Sequence, residues 1–302
     1  MLRAAVHAAT SGEAGLDVTM DELDANGQRF VCRRVGDEGE GVVLLHGFPE
    51  TSKMWTRLMG HLADAGYRCV APDQRGYSPG ARPPSVDDYR YEELGADVHA
   101  IAAAAGFERY HLVAHDWGAG AAWAALELDP SSVVSYTSLS IPHYTAFAEA
   151  VWSDPEEEPY RGFLDLFTAP DGLAEEVLGA DDLAGFRDVW TESAPDEVDA
   201  YLEVFRQPGA LTGALNWYRA AWAHRRALDD PDWRFGPVST PTVLLWGRDD
   251  PYVRRMSVTL AEPHMVGEYR VVELDAGHWL VQQRAEQVEV EVLAHLAAHP
   301  IG

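Results

Sequence analysis

The sequence of 302 residues predicts an α/β fold, with helices on both faces of a mostly parallel sheet and a helical insertion in the second half of the chain. First, short and continuously apolar runs such as GVVLLHG (41–47) alternate with helical segments, which is typical of strands buried on both faces. Second, this alternation stops between residues 142 and 237, in an acidic and helical stretch. Third, it resumes at TVLLWG (242–247). One sheet that continues after an insertion explains this pattern more economically than two independent domains.

The individual elements follow from local patterns. The segment ELDANGQRFVCRRV (22–35) predicts a hairpin, because Asn26-Gly27 provides the positive φ angles of a tight turn. Apolar runs predict the strands, and apolar residues at helical spacing predict the helices. The predicted strands are 41–47, 68–73, 111–115, 133–141, 242–247 and 269–274. The predicted helices outside the insertion are 54–65, 91–105, 117–128, 253–261 and 285–298.

These elements divide the chain into a core and an insertion. We assign the core to residues 1–141 and 238–302, and a helical lid to residues 142–237, which hold five of the ten tryptophans. Residues 1–17 precede the predicted hairpin and are expected to form a loosely ordered extension. The N-terminus lacks the apolar segment of a secretory signal, and no run approaches the roughly 18 apolar residues of a spanning helix.

The composition excludes several classes of partner. The net charge of −26 and the pI near 4.6 repel nucleic acids and anionic membrane surfaces, so neither is an expected partner. The two cysteines, Cys32 and Cys69, lie in strand-like segments, which is typical of buried free thiols in a reducing compartment. We therefore expect a cytoplasmic protein. The sequence carries no signal for an oligomeric state.

The segment VAHDWGAGAAW (113–123) has the pattern of a nucleophile elbow, in which a strand is followed by a sharp turn and a helix. Its central residue is Asp116, where most enzymes with this pattern have serine. Ala114 and Gly118 are small enough for the turn, and the N-terminus of a helix that starts at Trp117 favours a negative charge here. Asp116 is therefore either a nucleophile or simply the N-cap of that helix.

Two later segments favour the nucleophile. GRDDPYV (247–253) and DAGHWLVQQ (275–283) each begin at the end of a predicted strand, and they place Asp250 and His278 at the edge where open parallel sheets bind ligands. The chain order of nucleophile, acid and histidine is that of the α/β-hydrolase arrangement. Asp249 competes for the role of the acid, and we prefer Asp250 because it directly precedes the proline of this segment.

The turn HGFPE (46–50) follows the first buried strand. In this arrangement the backbone N–H of Phe48 joins that of Trp117 in an oxyanion hole. A carboxylate that attacks an ester yields an anhydride, whereas one that attacks a saturated carbon yields a stable alkyl ester. Water deprotonated by His278, which Asp250 orients, then hydrolyses that ester. Two leaving groups suit this chemistry: an epoxide oxygen, which needs an acidic O–H donor, and a halide, which needs N–H donors.

These residues resemble those of the α/β-hydrolase-fold epoxide hydrolases. The resemblance rests on six segments: HGFPE (46–50), PDQRGYSPGARP (72–83), HDWGA (115–119), LNWYR (215–219), GRDDP (247–251) and GHW (277–279). It implies a hydrolase that opens a small apolar epoxide to a vicinal diol without a metal or organic cofactor. It also implies that Asp116 is the nucleophile, His278 the base and Asp250 its partner. Tyr218 is implied to be a lid tyrosine that donates a hydrogen bond to the epoxide oxygen.

The chain departs from the family pattern in the lid. Epoxide hydrolases of this family normally use two lid tyrosines, and the segment 161–178 places Phe163 at the position of the first. Tyr160 or Trp152 replaces it if the lid is shifted. Aromatic residues around the site are also expected to line a pocket for an apolar substrate. The pocket candidates are Trp152, Tyr160, Phe163, Trp217 and Trp279.

The residues leave two alternatives open. Haloalkane and fluoroacetate dehalogenases are near relatives of the same family, and haloalkane dehalogenases share Trp117. Haloalkane dehalogenases usually have an asparagine after the HG pair, or a second tryptophan from elsewhere, as a halide donor. In this chain the residue after the HG pair is Phe48, which has no side-chain donor, and this favours an epoxide as the substrate. The other alternative is a ligand-binding protein that lost turnover, and the complete set of Asp116, Asp250 and His278 argues against it.

Overall fold

The structure of the chain, a computed structural model, describes residues 18–153, 158–223 and 235–302. The predicted extension at residues 1–17 lies outside the described residues. The strands are β1 Thr19–Ala25, β2 Gln28–Val35, β3 Gly41–Leu45, β4 Arg68–Pro72, β5 Tyr110–His115, β6 Val133–Leu139, β7 Thr242–Gly247 and β8 Tyr269–Leu274. They form one eight-stranded sheet in the spatial order β1-β2-β4-β3-β5-β6-β7-β8.

The first two strands form the predicted hairpin. β1 and β2 pair in antiparallel orientation around Asn26 and Gly27, whose φ angles are 46° and 70°. β2 also lies antiparallel to β4, whereas the pairings from β4 onward are parallel. The prediction of a mostly parallel sheet is therefore confirmed. Because β5, β7 and β8 run in the same direction, the residues that follow them meet at one edge of the sheet.

Helices connect the strands and also fill the interval between β6 and β7. The helices before β6 are α1 Thr56–Asp64, α2 Tyr91–Ala104 and α3 Trp117–Leu128. Between β6 and β7 lie α4 Tyr144–Ser153, α5 Glu158–Phe167, α6 Leu173–Arg187, α7 Pro195–Phe205 and α8 Ala210–Ala223, with non-helical backbone angles inside α6 at 180–183. After β7 follow α9 Arg255–Ala261, α10 Leu280–Gln283 and α11 Ala285–Ala298. None of the helices in the described ranges is both long and apolar enough to cross a membrane.

The sheet separates two hydrophobic clusters. Val43 and Leu45 of β3 belong to one cluster together with side chains of α2 and α3. Val42 and Leu44 belong to the other together with side chains of α1 and α11. Successive residues of a strand point to opposite faces, so a continuously apolar strand is buried from both sides. This packing explains why the run GVVLLHG lacks the alternation of an exposed sheet.

Several boundaries differ by one or two residues from those predicted, and two of these differences have a clear local reason. The helix predicted at 54–65 begins only at Thr56, because the residues before it form a short 3-10 turn. The strand predicted at 133–141 ends at Leu139, because Ser140 has a φ of 69°, which lies outside the range of a strand. Both differences concern the ends of elements, and the predicted order of strands and helices in the core is confirmed.

Candidate active site

Asp116 lies at the turn between β5 and α3. Its φ of 50° and ψ of −121° form a conformation that non-glycine residues rarely adopt and that is found mainly at functional sites. The turn packs closely on the segment after β3, where a Cβ added to Gly47 would collide with the side chain of Asp116. Asp116 occupies the N-cap position of α3, but its carboxylate makes no capping hydrogen bond to the helix, so capping alone does not account for this side chain.

The two oxygen atoms of the Asp116 carboxylate have different surroundings. Oδ1 accepts a hydrogen bond of 2.8 Å from the backbone N–H of Phe48. Oδ2 lies 3.5 Å from Nε2 of His278, and the side chain of Asp116 keeps 17% of its surface exposed. One oxygen is therefore held by the backbone, and the other faces the histidine.

The other ring nitrogen of His278 is paired with Asp250. Nδ1 of the histidine lies 2.8 Å from Oδ2 of Asp250. Oδ1 of Asp250 accepts the backbone N–H groups of Tyr252 and Val253, at 2.8 and 3.0 Å. Asp250 is 1% exposed, whereas Asp249 points to solvent. The structure thus brings Asp250 rather than Asp249 to the histidine.

The two carboxylates stabilise a proton on His278. Burial lowers the pKa of the imidazole, but the negative charge of Asp250 and the hydrogen bonds to both carboxylates outweigh burial and raise the pKa to about 10. Burial raises the pKa of Asp116, and the hydrogen bond and charge of His278 outweigh it in turn, so the pKa of Asp116 lies below its ordinary value. The raised pKa favours an imidazolium between Asp116 and Asp250 in the resting site.

Replacing Asp250 with asparagine is expected to lower kcat/KM by about 10⁴-fold, the effect typical of removing the acid from such a triad. Asparagine keeps an oxygen for the backbone N–H groups of the loop but removes the charge that stabilises the imidazolium. Steady-state kinetics of Asp250→Asn and of the matched control Asp249→Asn test this expectation. The control should keep the activity of the unmodified chain, and equal losses in the two variants would contradict the assignment of the acid.

The turn HGFPE is held in place by the segment that follows β4. The backbone N–H of Gln74 donates to Nε2 of His46 at 3.1 Å, and the side-chain amide of Gln74 donates to the carbonyl oxygen of His46 at 2.5 Å. The backbone N–H of Phe48, two residues later, therefore has a fixed position beside Asp116. The N–H of Trp117 is the first of α3, where helical N–H groups lack an acceptor within the helix.

A buried polar pair lies next to His278. Nε2 of His115 donates to the carbonyl oxygen of His278 at 3.0 Å, and Nδ1 of His115 lies 3.3 Å from Oε2 of Glu50. Oε1 of Glu50 accepts the side-chain amide of Gln282 at 2.5 Å. These contacts position the backbone of His278. The sequence patterns did not single out either member of the pair, although both stand inside the motifs HDWGA and HGFPE.

Tyr218 lies on α8, which is anchored to the segment after β4. Gly213 of this helix meets Gly76 so closely that a Cβ on either residue would collide with the backbone of the other. The indole N–H of Trp217 donates to the carbonyl oxygen of Arg75 at 2.8 Å. A backbone contact and a buried hydrogen bond therefore fix the part of α8 that carries Tyr218.

The ring of Tyr218 faces both predicted oxyanion residues. Its centroid lies 5.3 Å from that of Phe48 and 4.7 Å from that of Trp117, in edge-to-face geometry. Trp117 directly follows Asp116 in the chain, and Phe48 donates to its carboxylate. The structure therefore brings Tyr218 to the nucleophile side of the site.

Phe163 and Tyr252 lie on the histidine side. The ring of Phe163 contacts that of Tyr252 at a centroid distance of 5.6 Å, and Tyr252 contacts the ring of His278 at 5.0 Å. Trp279 also packs on the ring of His278, at 4.9 Å. Sequence reasoning missed Tyr252. Its position two residues after Asp250, beyond a strand end that carries the acid, was the available signal.

The remaining pocket candidates divide into two groups. The side chains of Trp152 and Tyr160 lie outside the described residues. Trp217 is 2% exposed and contacts the ring of Trp117 at 5.8 Å. Because its indole N–H is bound to a backbone carbonyl, Trp217 has a fixed position in which it packs against the ring of Trp117.

Comparison with known proteins identifies relatives over most of the chain. The family described as the alpha/beta hydrolase fold matches residues 41–285. An AB hydrolase superfamily protein of Bacillus subtilis is 30% identical over 265 residues, which are 86% of this chain and 91% of that protein. Epoxide hydrolase A of Mycobacterium tuberculosis is 32% identical over 316 aligned residues, with 91% of this chain and 96% of that protein covered.

Among solved structures, the crystal structure of Epoxide Hydrolase A from Mycobacterium thermoresistibile is similar to the whole fold. The TM-score is 0.79 at 27% sequence identity, and the match covers 94% of this chain and 100% of that one. The family match at residues 41–285 contains Asp116, Asp250 and His278. The similarity thus includes the three strand ends at which the candidate site is built.

Proposed function

The chain belongs to the α/β-hydrolase fold family, in which it is a relative of the epoxide hydrolases, and from this premise we propose that it opens an epoxide to a vicinal diol through a covalent ester on Asp116. The observation that carries the proposal is the division of the Asp116 carboxylate between the backbone N–H of Phe48 and the ring of His278. A carboxylate held in this way is suited to attack a saturated carbon and then to be released by water. Two of the relatives compared above are epoxide hydrolases, which supports the substrate class.

Ring opening is the first step. A lone pair of Oδ2 of Asp116 forms a bond to an epoxide carbon, and the bond from that carbon to the ring oxygen breaks. Its electron pair goes to the ring oxygen, which takes a proton from the phenol of Tyr218. The imidazolium of His278 then returns a proton to the phenolate, because the ester no longer carries the negative charge that stabilised the imidazolium.

Hydrolysis of the ester is the second step. The neutral imidazole of His278 takes a proton from water, and the hydroxide attacks Cγ of Asp116. Negative charge develops on Oδ1, which the backbone N–H groups of Phe48 and Trp117 stabilise. The intermediate collapses, the diol oxygen leaves with the proton of the new carboxyl group, and the carboxylate is restored beside an imidazolium that Asp250 stabilises.

The surroundings of Asp116 favour an epoxide over a halide as the leaving group. A halide needs more than one N–H donor; Trp117 is shared with the haloalkane dehalogenases, but the side chain of Phe48 offers no second donor. The indole N–H of Trp217 is bound to the carbonyl oxygen of Arg75. The phenol of Tyr218, in contrast, supplies the O–H donor that an epoxide oxygen requires. Assays of halide release from haloalkanes of similar size test the alternative directly.

The helices within residues 142–237 form a lid over this site in our proposal. Tyr218 of α8 faces Phe48 and Trp117 of the core, and Phe163 of α5 faces Tyr252. The contacts between lid and core are made by aromatic rings, which suits a small apolar epoxide. Both chemical steps are complete with water and protein groups, so they call for neither a metal nor an organic cofactor.

An isotope experiment tests the covalent ester. Diol formation across a panel of apolar epoxides first identifies a substrate. A single turnover in H₂¹⁸O with enzyme in excess should then give an unlabelled diol, because the oxygen added to the substrate comes from Asp116. The label should enter the Asp116 carboxylate, where mass spectrometry of the peptide detects it. A diol labelled in the first turnover would instead show direct attack of water and would contradict the proposed ester.

A further inference from the structure

A row of aromatic rings links Tyr218 to the catalytic histidine of the proposed function. Tyr218 contacts Phe167 at a centroid distance of 4.9 Å, and Phe167 contacts Phe163 at 5.2 Å. Phe163 contacts Tyr252 at 5.6 Å, and Tyr252 contacts His278 at 5.0 Å. We call Tyr218, Phe167, Phe163 and Tyr252 the aromatic arc. Its two ends are tyrosines, and its two central residues are phenylalanines.

The two tyrosines of the aromatic arc contact different residues of the proposed site. Tyr218 packs on Phe48, whose backbone N–H donates to the carboxylate of Asp116. Tyr252 packs on His278, whose Nε2 faces the other oxygen of that carboxylate. Each of the two hydroxyl-bearing rings therefore contacts a residue that itself contacts the carboxylate of Asp116. The resemblance to epoxide hydrolases places Phe163 at the position of the first lid tyrosine, and the ring of Tyr252 contacts Phe163.

Tyr252 is held firmly in this position. Its backbone N–H donates to Oδ1 of Asp250 at 2.8 Å, and its ring stands at 88° to the ring of His278. Burial, followed by the negative charges of Asp250 and Asp116, raises the pKa of Tyr252. Its phenol therefore keeps its proton at neutral pH and is a hydrogen-bond donor to any negative oxygen that forms beside Asp116.

This inference rests on the proposed function and deepens it. We propose that Tyr252 is a catalytic residue of ring opening, whose phenol donates to the epoxide oxygen together with that of Tyr218. When Oδ2 of Asp116 bonds to the carbon, the electron pair of the broken C–O bond stays on the ring oxygen. That oxygen takes a proton from one phenol and accepts a hydrogen bond from the other. The resulting phenolate is reprotonated by His278, with which Tyr252 is in ring contact.

The rate of ring opening, measured apart from hydrolysis, tests the proposal. In the background of His278→Gln, which retains most of the side-chain volume but has no base, rapid quenching and mass spectrometry follow the formation of the Asp116 ester. Adding Tyr252→Phe is expected to slow ester formation by about 10- to 100-fold, as for the loss of one of two acid groups. Tyr218→Phe in the same background should slow it to a comparable extent.

A rescue variant separates this role from packing. Phe163→Tyr, added to Tyr252→Phe, restores a hydroxyl group from the adjacent ring and should recover much of the lost rate. Tyr110→Phe is the matched control, because this buried phenol lies at the start of β5, at the opposite end of the strand from Asp116, and is hydrogen-bonded to Nδ1 of His99; it should leave the rate unchanged. Unchanged ester formation in Tyr252→Phe would overturn the assignment. The absence of any ester in His278→Gln alone would overturn the proposed function itself, and the assignment with it.

Discussion

Asp116→Asn is expected to abolish turnover, with a loss in kcat on the order of 10⁵-fold or more, as found when a hydrolase loses its nucleophile. The amide has no charged oxygen with which to attack a saturated carbon, so the first step does not occur. The substitution retains the size of the side chain and an oxygen that accepts the backbone N–H of Phe48. Diol formation with the substrate found for the unmodified chain measures the effect.

The same variant is expected to change the acidity of His278. The pKa of about 10 depends in part on the hydrogen bond to Asp116 and on its negative charge, so removing the charge lowers the pKa. A group whose pKa is lowered loses its proton earlier as the pH rises. NMR titration of the His278 ring should therefore show deprotonation at a lower pH in Asp116→Asn than in the unmodified chain. Asp249→Asn, which removes an exposed charge, is the control and should leave the pKa of His278 unchanged.

Retained turnover in Asp116→Asn would contradict the ester mechanism. An unchanged titration of His278 would contradict the ion pairing of the resting site. The two readings are independent, because one follows product and the other follows a proton in the absence of substrate. Diol formation therefore tests the assignment of Asp116 as the nucleophile, and the titration tests the assignment of charges around it.

The parts of the site that could be predicted from sequence are those set by local patterns. Buried strands are read from continuous apolar runs, and each run shows where a strand ends. Asp116, Asp250 and His278 all stand at such ends, and parallel strands bring their ends to one edge of the sheet. The order of the core elements and the segments that carry the site therefore followed from the sequence.

The choice between adjacent residues depended on geometry that sequence patterns do not contain. Asp249 and Asp250 are chemically identical neighbours, and the choice follows from the turn in which Tyr252 and Val253 donate to one carboxylate. A sequence pattern gives the position of a turn more readily than the direction of each side chain in it.

Contacts between residues that are distant in the sequence could not be predicted from local patterns either. The meeting of Gly213 with Gly76 positions α8, yet each glycine alone is compatible with many environments. The pairing of His115 with Glu50 is of the same kind, because neither residue has a local pattern that indicates its partner. The contact of Tyr252 with Phe163 joins a core loop to an inserted helix and appears only in the folded chain.

His278→Gln is expected to separate the two chemical steps. Glutamine cannot accept the proton of water, so turnover should fall on the order of 10⁵-fold or more, comparable to the loss of the nucleophile. Loss of His278 weakens the stabilisation of the Asp116 carboxylate, but the backbone N–H of Phe48 and the N-terminus of α3 still favour its negative charge. The chain should therefore accumulate an ester on Asp116, seen by mass spectrometry as one added substrate mass per chain. Asp116→Asn combined with His278→Gln is the control and should show no adduct.

The stoichiometry of this adduct also decides between an enzyme and a binding protein that retained the fold. A binding protein would take up the epoxide reversibly, and denaturation before mass measurement would release it from every variant. An alkyl ester survives denaturation because a carbon–oxygen bond has formed to Asp116. A stable adduct in His278→Gln, together with its absence when Asp116 is also replaced, can arise only if the first step occurs and the second requires the histidine. Loss of turnover without an adduct in His278→Gln would contradict the proposed ester on Asp116 and, with it, the proposed function.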